Sequence, residues 1–115
     1  VTPLKDGMNL VAKEFVACQI EGDGVLILSE FAGAAVQLKD DAILVNPYDL
    51  EGLADAIYRA VSMSPIDRGP PMRRLRKAVQ GQDVYWWVNR FLGSCGLARR
   101  AGREIRRASR IAAAF

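Results

Sequence analysis

Two short apolar runs constrain this chain more than any other feature. Residues 24–28 read Gly-Val-Leu-Ile-Leu and residues 42–45 read Ala-Ile-Leu-Val. Neither run alternates apolar with polar residues, so neither suits a strand with one wet face. A continuous run fits a strand covered on both faces, as in a parallel sheet flanked by helices. Glu21-Gly22-Asp23 and Ser29-Glu30 bound the first run, and Asn46-Pro47 stops the second. Two strands alone do not make a stable sheet. The expectation is therefore that further strands precede Val1 and that the chain starts in mid-fold.

Helical periodicity surrounds these runs. Residues 8–19 read as a helix with Leu10, Val11, Phe15 and Cys18 on one side, after a turn signal at Asp6-Gly7. Between the runs the pattern allows a helical turn. Asp49 is an N-cap candidate for the next helix, along which Leu50, Leu53, Ile57 and Val61 form an amphipathic stripe. Pro65 and Gly69-Pro70-Pro71 are expected to break the chain. Residues 72–80 then read as a basic helix, 83–92 as a helix carrying Trp86, Trp87 and Phe91, and 97–112 as a last helix. Short buried strands alternating with helices imply an α/β fold with a parallel sheet, followed by helices only.

Composition narrows the chemistry. Half of the 115 residues are hydrophobic and a quarter charged, as in soluble globular domains. There is no histidine, which removes Ser-His-Asp, Cys-His and histidine-metal chemistry. Cys18 and Cys95 lie among apolar neighbours at no metal-site spacing, and read as buried reduced thiols of a cytoplasmic protein. Val1-Thr2-Pro3 opens no signal peptide, and no apolar run approaches the roughly 20 residues that span a bilayer. Charge is lopsided: residues 1–67 hold 4 basic and 11 acidic residues, residues 68–115 hold 12 basic and 2 acidic ones. This fits either a basic arm for an anionic partner or two halves that attract each other.

The segment 2–14, Thr-Pro-Leu-Lys-Asp-Gly-Met-Asn-Leu-Val-Ala-Lys-Glu, carries the most chemical information. It reads as a strand exit, a tight turn at Asp6-Gly7 and a helix start. A helix start offers unpaired N–H groups and partial positive charge, a natural seat for a diphosphate. Gly7 allows close approach of backbone to ligand. Asp6 is placed to accept from sugar hydroxyls. Glu14, roughly 7 Å further along the helix, is placed to chelate a ribose. The spacing also fits a bland alternative, in which Lys13-Glu14 is a solvated face.

Residues 4–15, Leu-Lys-Asp-Gly-Met-Asn-Leu-Val-Ala-Lys-Glu-Phe, closely resemble the donor-site motif of the trehalose-6-phosphate synthase family. Residues 25–35, Val-Leu-Ile-Leu-Ser-Glu-Phe-Ala-Gly-Ala-Ala, and 42–49, Ala-Ile-Leu-Val-Asn-Pro-Tyr-Asp, are similar to its next two blocks. The resemblance covers about residues 1–92, more loosely from 68. It implies the end of a two-domain GT-B glycosyltransferase: a partial Rossmann-like nucleotide-sugar-binding domain at 1–67, crossover helices at 68–92, and an Arg-rich tail at 93–115. The implied reaction moves glucose from UDP-glucose to glucose-6-phosphate with retention, without metal or protein nucleophile. By resemblance Asp6 touches the donor glucose, and backbone amides around Gly7, Met8, Asn9, Leu10 and Val11 bind glucose and diphosphate. Glu14 holds the ribose. Basic groups for the diphosphate and groups for the acceptor phosphate belong to family segments before this chain, so these 115 residues alone are expected to turn over no substrate. Val36-Gln37 depart from the family's acidic residues there.

Two features stand apart from the motif. Trp86, Trp87 and Phe91 are expected to pack; in the family such helices run back to the N-terminal domain, and without it they form a patch for self-association. Arg99, Arg100, Arg103, Arg106, Arg107 and Arg110 share about a third of a helix circumference, opposite Leu97, Ala101, Ile105 and Ala108. This is either a solvated tail or a basic amphipathic helix for nucleic acid or anionic membrane. The second option would make the chain a non-catalytic binding module or truncated remnant.

Overall fold

A computed structural model of the chain describes residues 1–95. The helix expected at 97–112, with its arginines, lies outside them. The chain divides into two compact units, Val1–Gln80 and Gly81–Phe115.

The first unit is built on parallel pairing. Strands β1 (Ile27–Ser29) and β2 (Ile43–Val45) run parallel in the register Ile27↔Ile43, Leu28↔Leu44, Ser29↔Val45. On the other edge of β1 the Val1 nitrogen donates to the Ile27 carbonyl at 2.8 Å, and the Ser29 N–H donates to the Val1 carbonyl at 3.0 Å. That is the parallel pattern with Val1 opposite Leu28. Asp6 bridges Ala32 in the same sense. The segment leading to Asp6 thus occupies a third, parallel strand position.

Helix α1 (Leu10–Cys18) links this segment to β1, and α2 (Ala35–Leu38) is the one-turn crossover to β2. Leu26 and Leu28 point to one face by the two-residue period of a strand. They share a core with Ala12 and Val16 of α1, Leu38 of α2, and Met72 and Leu75 of α4 (Pro65–Gly81). The buried face of α1 is therefore Ala12 and Val16, with Phe15 half-buried. The expected Leu10, Val11 and Cys18 are exposed, and so is Cys95, which corrects the reading of both cysteines as buried. Gly22, with φ 78, turns the chain after α1, and a Cβ there would come within van der Waals reach of Gly69 in α4.

Helix α4 runs through Pro70 and Pro71, where a break was expected. Its start is well made. The Ser64 hydroxyl accepts the Asp67 N–H at 3.3 Å and donates to Asp67 Oδ2 at 2.6 Å, while Pro65 needs no N–H at the first helical position. The two interior prolines cost about 3 kcal/mol each. Full burial of Met72 and Leu75 contributes about 2–3 kcal/mol each, which is comparable. The basic stretch 72–80 is thus part of a longer core helix, and a boundary at residue 68 falls inside it. Arg74 meets Asp41 at 2.6 Å but is 60% exposed, so that pair adds at most about 1 kcal/mol. Packing, not the ion pair, holds α4.

Helix α3 (Leu50–Ser62) starts at the expected cap: Asp49 Oδ1 accepts the Gly52 N–H at 3.0 Å. Arg68 closes its other end, donating to the Met63 carbonyl at 2.7 Å and the Val61 carbonyl at 2.9 Å. Its stripe does not reach a core, however. Leu50, Ile57 and Val61 are exposed, Leu53 is half-buried, and the buried residue is Ala56. Leu44, central in β2, is 41% exposed, so β2 is not covered on both faces.

The second unit contains α5 (Val84–Ser94), capped by Asp83 Oδ1, which accepts the Trp86 N–H at 2.9 Å. No residue of α5 is buried. Trp87 and Phe91 stack at 5.3 Å, and the Arg90 guanidinium sits 5.3 Å from the Trp86 ring centre. The aromatics make a patch rather than a core.

Leu28→Ala should lower unfolding free energy by about 2–5 kcal/mol, and Leu44→Ala by less than about 1 kcal/mol. Urea unfolding of the two variants checks this; equal losses would mean that β2 is as buried as β1.

Candidate functional site

Three loops gather at the carboxyl ends of the parallel segments: residues 6–9, 30–33 and 46–49. Open α/β sheets bind ligands outside those ends. The second loop folds over Ser29, whose buried hydroxyl accepts the Phe31 N–H at 3.1 Å. In the third, Asn46 Oδ1 accepts the Tyr48 N–H at 3.0 Å, and Tyr48 meets Phe31 edge-on at 6.1 Å.

Asp6 organises the first loop. Its Oδ1 accepts the Met8 N–H at 3.1 Å and the Asn9 N–H at 2.9 Å, and its Oδ2 accepts the Asn9 Nδ2–H at 2.8 Å. These donors favour the ionised form. The Met8 N–H weighs most, then the Asn9 side chain and N–H, and together they hold the carboxyl below the usual aspartate range. Asn9 itself takes the left-handed conformation, φ 56 and ψ 78, which asparagine tolerates better than most residues. Its Oδ1 accepts the Ala12 N–H at 2.9 Å and so caps α1.

Gly33 lies beneath this loop and donates its N–H to the Asp6 carbonyl at 2.7 Å. A Cβ on Gly33 would run into the Gly7 carbonyl and crowd the Met8 nitrogen. The space a Cβ on Gly7 would occupy is open. Sheet and loop therefore touch backbone to backbone at Gly33, while the Gly7 side stays accessible.

The sequence-predicted residues converge. Asp6, Gly7, Met8, Asn9, Leu10 and Val11 form one loop–helix junction, and Glu14 follows one turn beyond Leu10 on α1, exposed. The roles of the amides divide in a way the sequence reading did not foresee. The Met8 and Asn9 N–H groups are taken by Asp6. The N–H groups of Leu10 and Val11, the first of α1, have no acceptor among the described residues. The junction thus offers a partial positive helix end beside a carboxylate already held by its own loop. Reasoning from residues missed the Asn9 side chain and Gly33. An asparagine just before an apolar period is an N-cap signal; a lone glycine among alanines carries almost none.

A cleft of about 190 Å³ lies at the opposite, amino ends of β1 and β2, lined among others by Leu26, Asp41, Arg59, Arg68 and Arg74. None of the residues above borders it. Two of its arginines are spent on Asp41 and on carbonyls of α3.

Gly33→Ala should cost about 1–3 kcal/mol by overpacking against backbone, whereas Gly7→Ala should cost less. Comparing their urea midpoints tests the assignment, and a neutral Gly33→Ala would remove the contact.

The chain is 50% identical over 102 residues to trehalose-6-phosphate synthase of Mycolicibacterium smegmatis, a match covering 89% of this chain and 20% of that protein. Among solved structures, the alpha,alpha-trehalose 6-phosphate synthase of Burkholderia multivorans aligns with a TM-score of 0.78 at 46% identity, covering 92% of this chain and 22% of that one. An E. coli structure bound with UDP-2-fluoro glucose aligns at TM-score 0.76 and 45% identity, covering 82% and 21%. A Burkholderia xenovorans alpha,alpha-trehalose-phosphate synthase (UDP-forming) in complex with glucose-6-phosphate gives the same four values. The chain thus spans about a fifth of the length of these relatives. The description of glycosyltransferase family 20 matches residues 1–95, reaching past residue 92, and the chain belongs to that family.

Proposed function

We propose that this chain supplies the nucleotide-sugar side of a retaining glucosyl transfer, from UDP-glucose to glucose-6-phosphate. The observation that carries the reading is the junction of residues 6–11, where an ionised Asp6 and the open amides of α1 meet at the carboxyl edge of a parallel sheet. The relatives' names and the ligands of the two complexes agree with it.

In this reading the Leu10 and Val11 N–H groups face the diphosphate, whose charge the helix end favours. The remaining acceptor capacity of Asp6 is used for hydroxyls of the donor glucose. Glu14, one turn along, chelates the ribose. The Met8 and Asn9 amides act through Asp6, keeping its carboxylate ionised and aimed. The leaving phosphate assists the incoming hydroxyl, so protein groups contribute position and electrostatics, and the reading assigns no step to a metal ion. In this reading the reaction is cytoplasmic. Among the described residues no helix is long and apolar enough to cross a membrane.

Isothermal titration of UDP-glucose into the chain should give a dissociation constant near ~1 mM. Glu14→Ala should weaken it about tenfold, roughly 1.4 kcal/mol. Transfer to glucose-6-phosphate by the chain alone should be undetectable. Unchanged affinity in folded Glu14→Ala would take Glu14 out of the site.

A further inference from the structure

We infer that Asn9 is a positioning residue whose side chain fixes the Asp6 carboxylate in the donor site, beyond its service as a helix cap. The inference rests on the donor-site reading for its functional part and on geometry for the rest. Asn9 is 5% exposed, and both ends of its carboxamide are used. Oδ1 takes the Ala12 N–H, and Nδ2 donates to Asp6 Oδ2. A cap needs only the first bond. The second reaches back three residues to the group that in turn holds the Met8 and Asn9 amides.

The backbone conformation allows this double use. Asn9 lies in the left-handed region, which turns its own N–H toward Asp6 Oδ1 while its side chain spans Oδ2 and α1. The two Asp6 oxygens are thus gripped by one residue, and rotation of the carboxylate would break a bond on either side. A charge-assisted bond of this kind is stronger than a neutral one and directional. Aspartate at the same place would cap α1 and tolerate the conformation, but would set a second carboxylate against Asp6. Glycine would tolerate the conformation and largely spare the cap, while removing the grip.

The test uses the whole chain with Asn9→Gly and Asn9→Asp, followed by carbon-detected NMR titration of the Asp6 carboxyl and by UDP-glucose titration. In Asn9→Gly, which adds no charge, the Asp6 titration midpoint should move upward toward the ordinary range, with the cooperative urea transition retained. An unchanged midpoint in the folded variant overturns the inference, because a mere cap would leave Asp6 untouched. The UDP-glucose dissociation constant should weaken about tenfold in Asn9→Gly and at least as much in Asn9→Asp. Wild-type affinity in either folded variant overturns the positioning role. Should Asn9→Gly fail to fold, Asn9→Asp decides by affinity. Should the wild type bind no UDP-glucose, the functional reading fails, and the Asn9→Gly titration still decides whether Asn9 sets the Asp6 carboxylate.

Discussion

The Gly33 N–H meets the Asp6 carbonyl at 2.7 Å, and this contact has no room for a side chain. It is the point where the sheet, extended past Ser29, touches the turn into α1. The parallel bridge between Asp6 and Ala32 sets the height of that turn above the strand ends. Asp6 then determines the rest, because its carboxylate collects the two amides and the carboxamide that shape residues 6–9. The start of α1 inherits its direction from this chain of bonds, through the Asn9 cap. Each link is backbone or a short polar side chain, so little rotamer freedom remains to be lost on binding.

Much of this was legible in the residues. The parallel α/β class followed from two unalternating runs, and the helix start after Asp6 from a turn signal followed by an apolar period. Caps of Asp type announced themselves, as Asp49 does. Faces were harder. On α1 the large apolar residues Leu10 and Val11 look outward, and small Ala12 faces a tight core. Periodicity weights residues by size and misses an alanine that fits because it is small. On α3 the stripe is real in sequence, but no described element covers Leu50 and Val61. Prolines 70 and 71 misled because tertiary packing of Met72 and Leu75 offsets a local penalty. The junction of turn and helix at residues 6–11 followed from the Asp6-Gly7 turn signal. The sharing of Met8 and Asn9 amides with Asp6 was invisible, since it depends on the left-handed turn at Asn9 rather than on residue type alone.

The exposed apolar faces deserve a common account. Leu44 of β2, Leu50 and Val61 of α3, and the whole of α5 carry large side chains at the surface. Exposed apolar surface on either unit is a candidate place of association. Beside matched relatives about five times as long as this chain, a unit of two paired strands and one further parallel segment has ample surface for neighbouring polypeptide. The junction of residues 6–11 is polar and local in sequence, whereas the uncovered faces of the first unit are apolar and drawn from β2 and α3.

Helix α1 has two ends of interest, the cap at Asn9 and the buried pair Ala12 and Val16, both 0% exposed. They lie within eight residues of each other on one rigid element. Whatever binds the amides at its start therefore binds only the docked helix, and docking and binding become linked equilibria. At ten times its dissociation constant a ligand stabilises the docked state by about 1.4 kcal/mol, from RT ln(1 + [L]/Kd). Reciprocity follows: loosening the packing around Val16 removes competent molecules from the population and weakens apparent affinity by the same factor. A ligand held at the start of α1 would draw part of its affinity from the hydrophobic core of this unit.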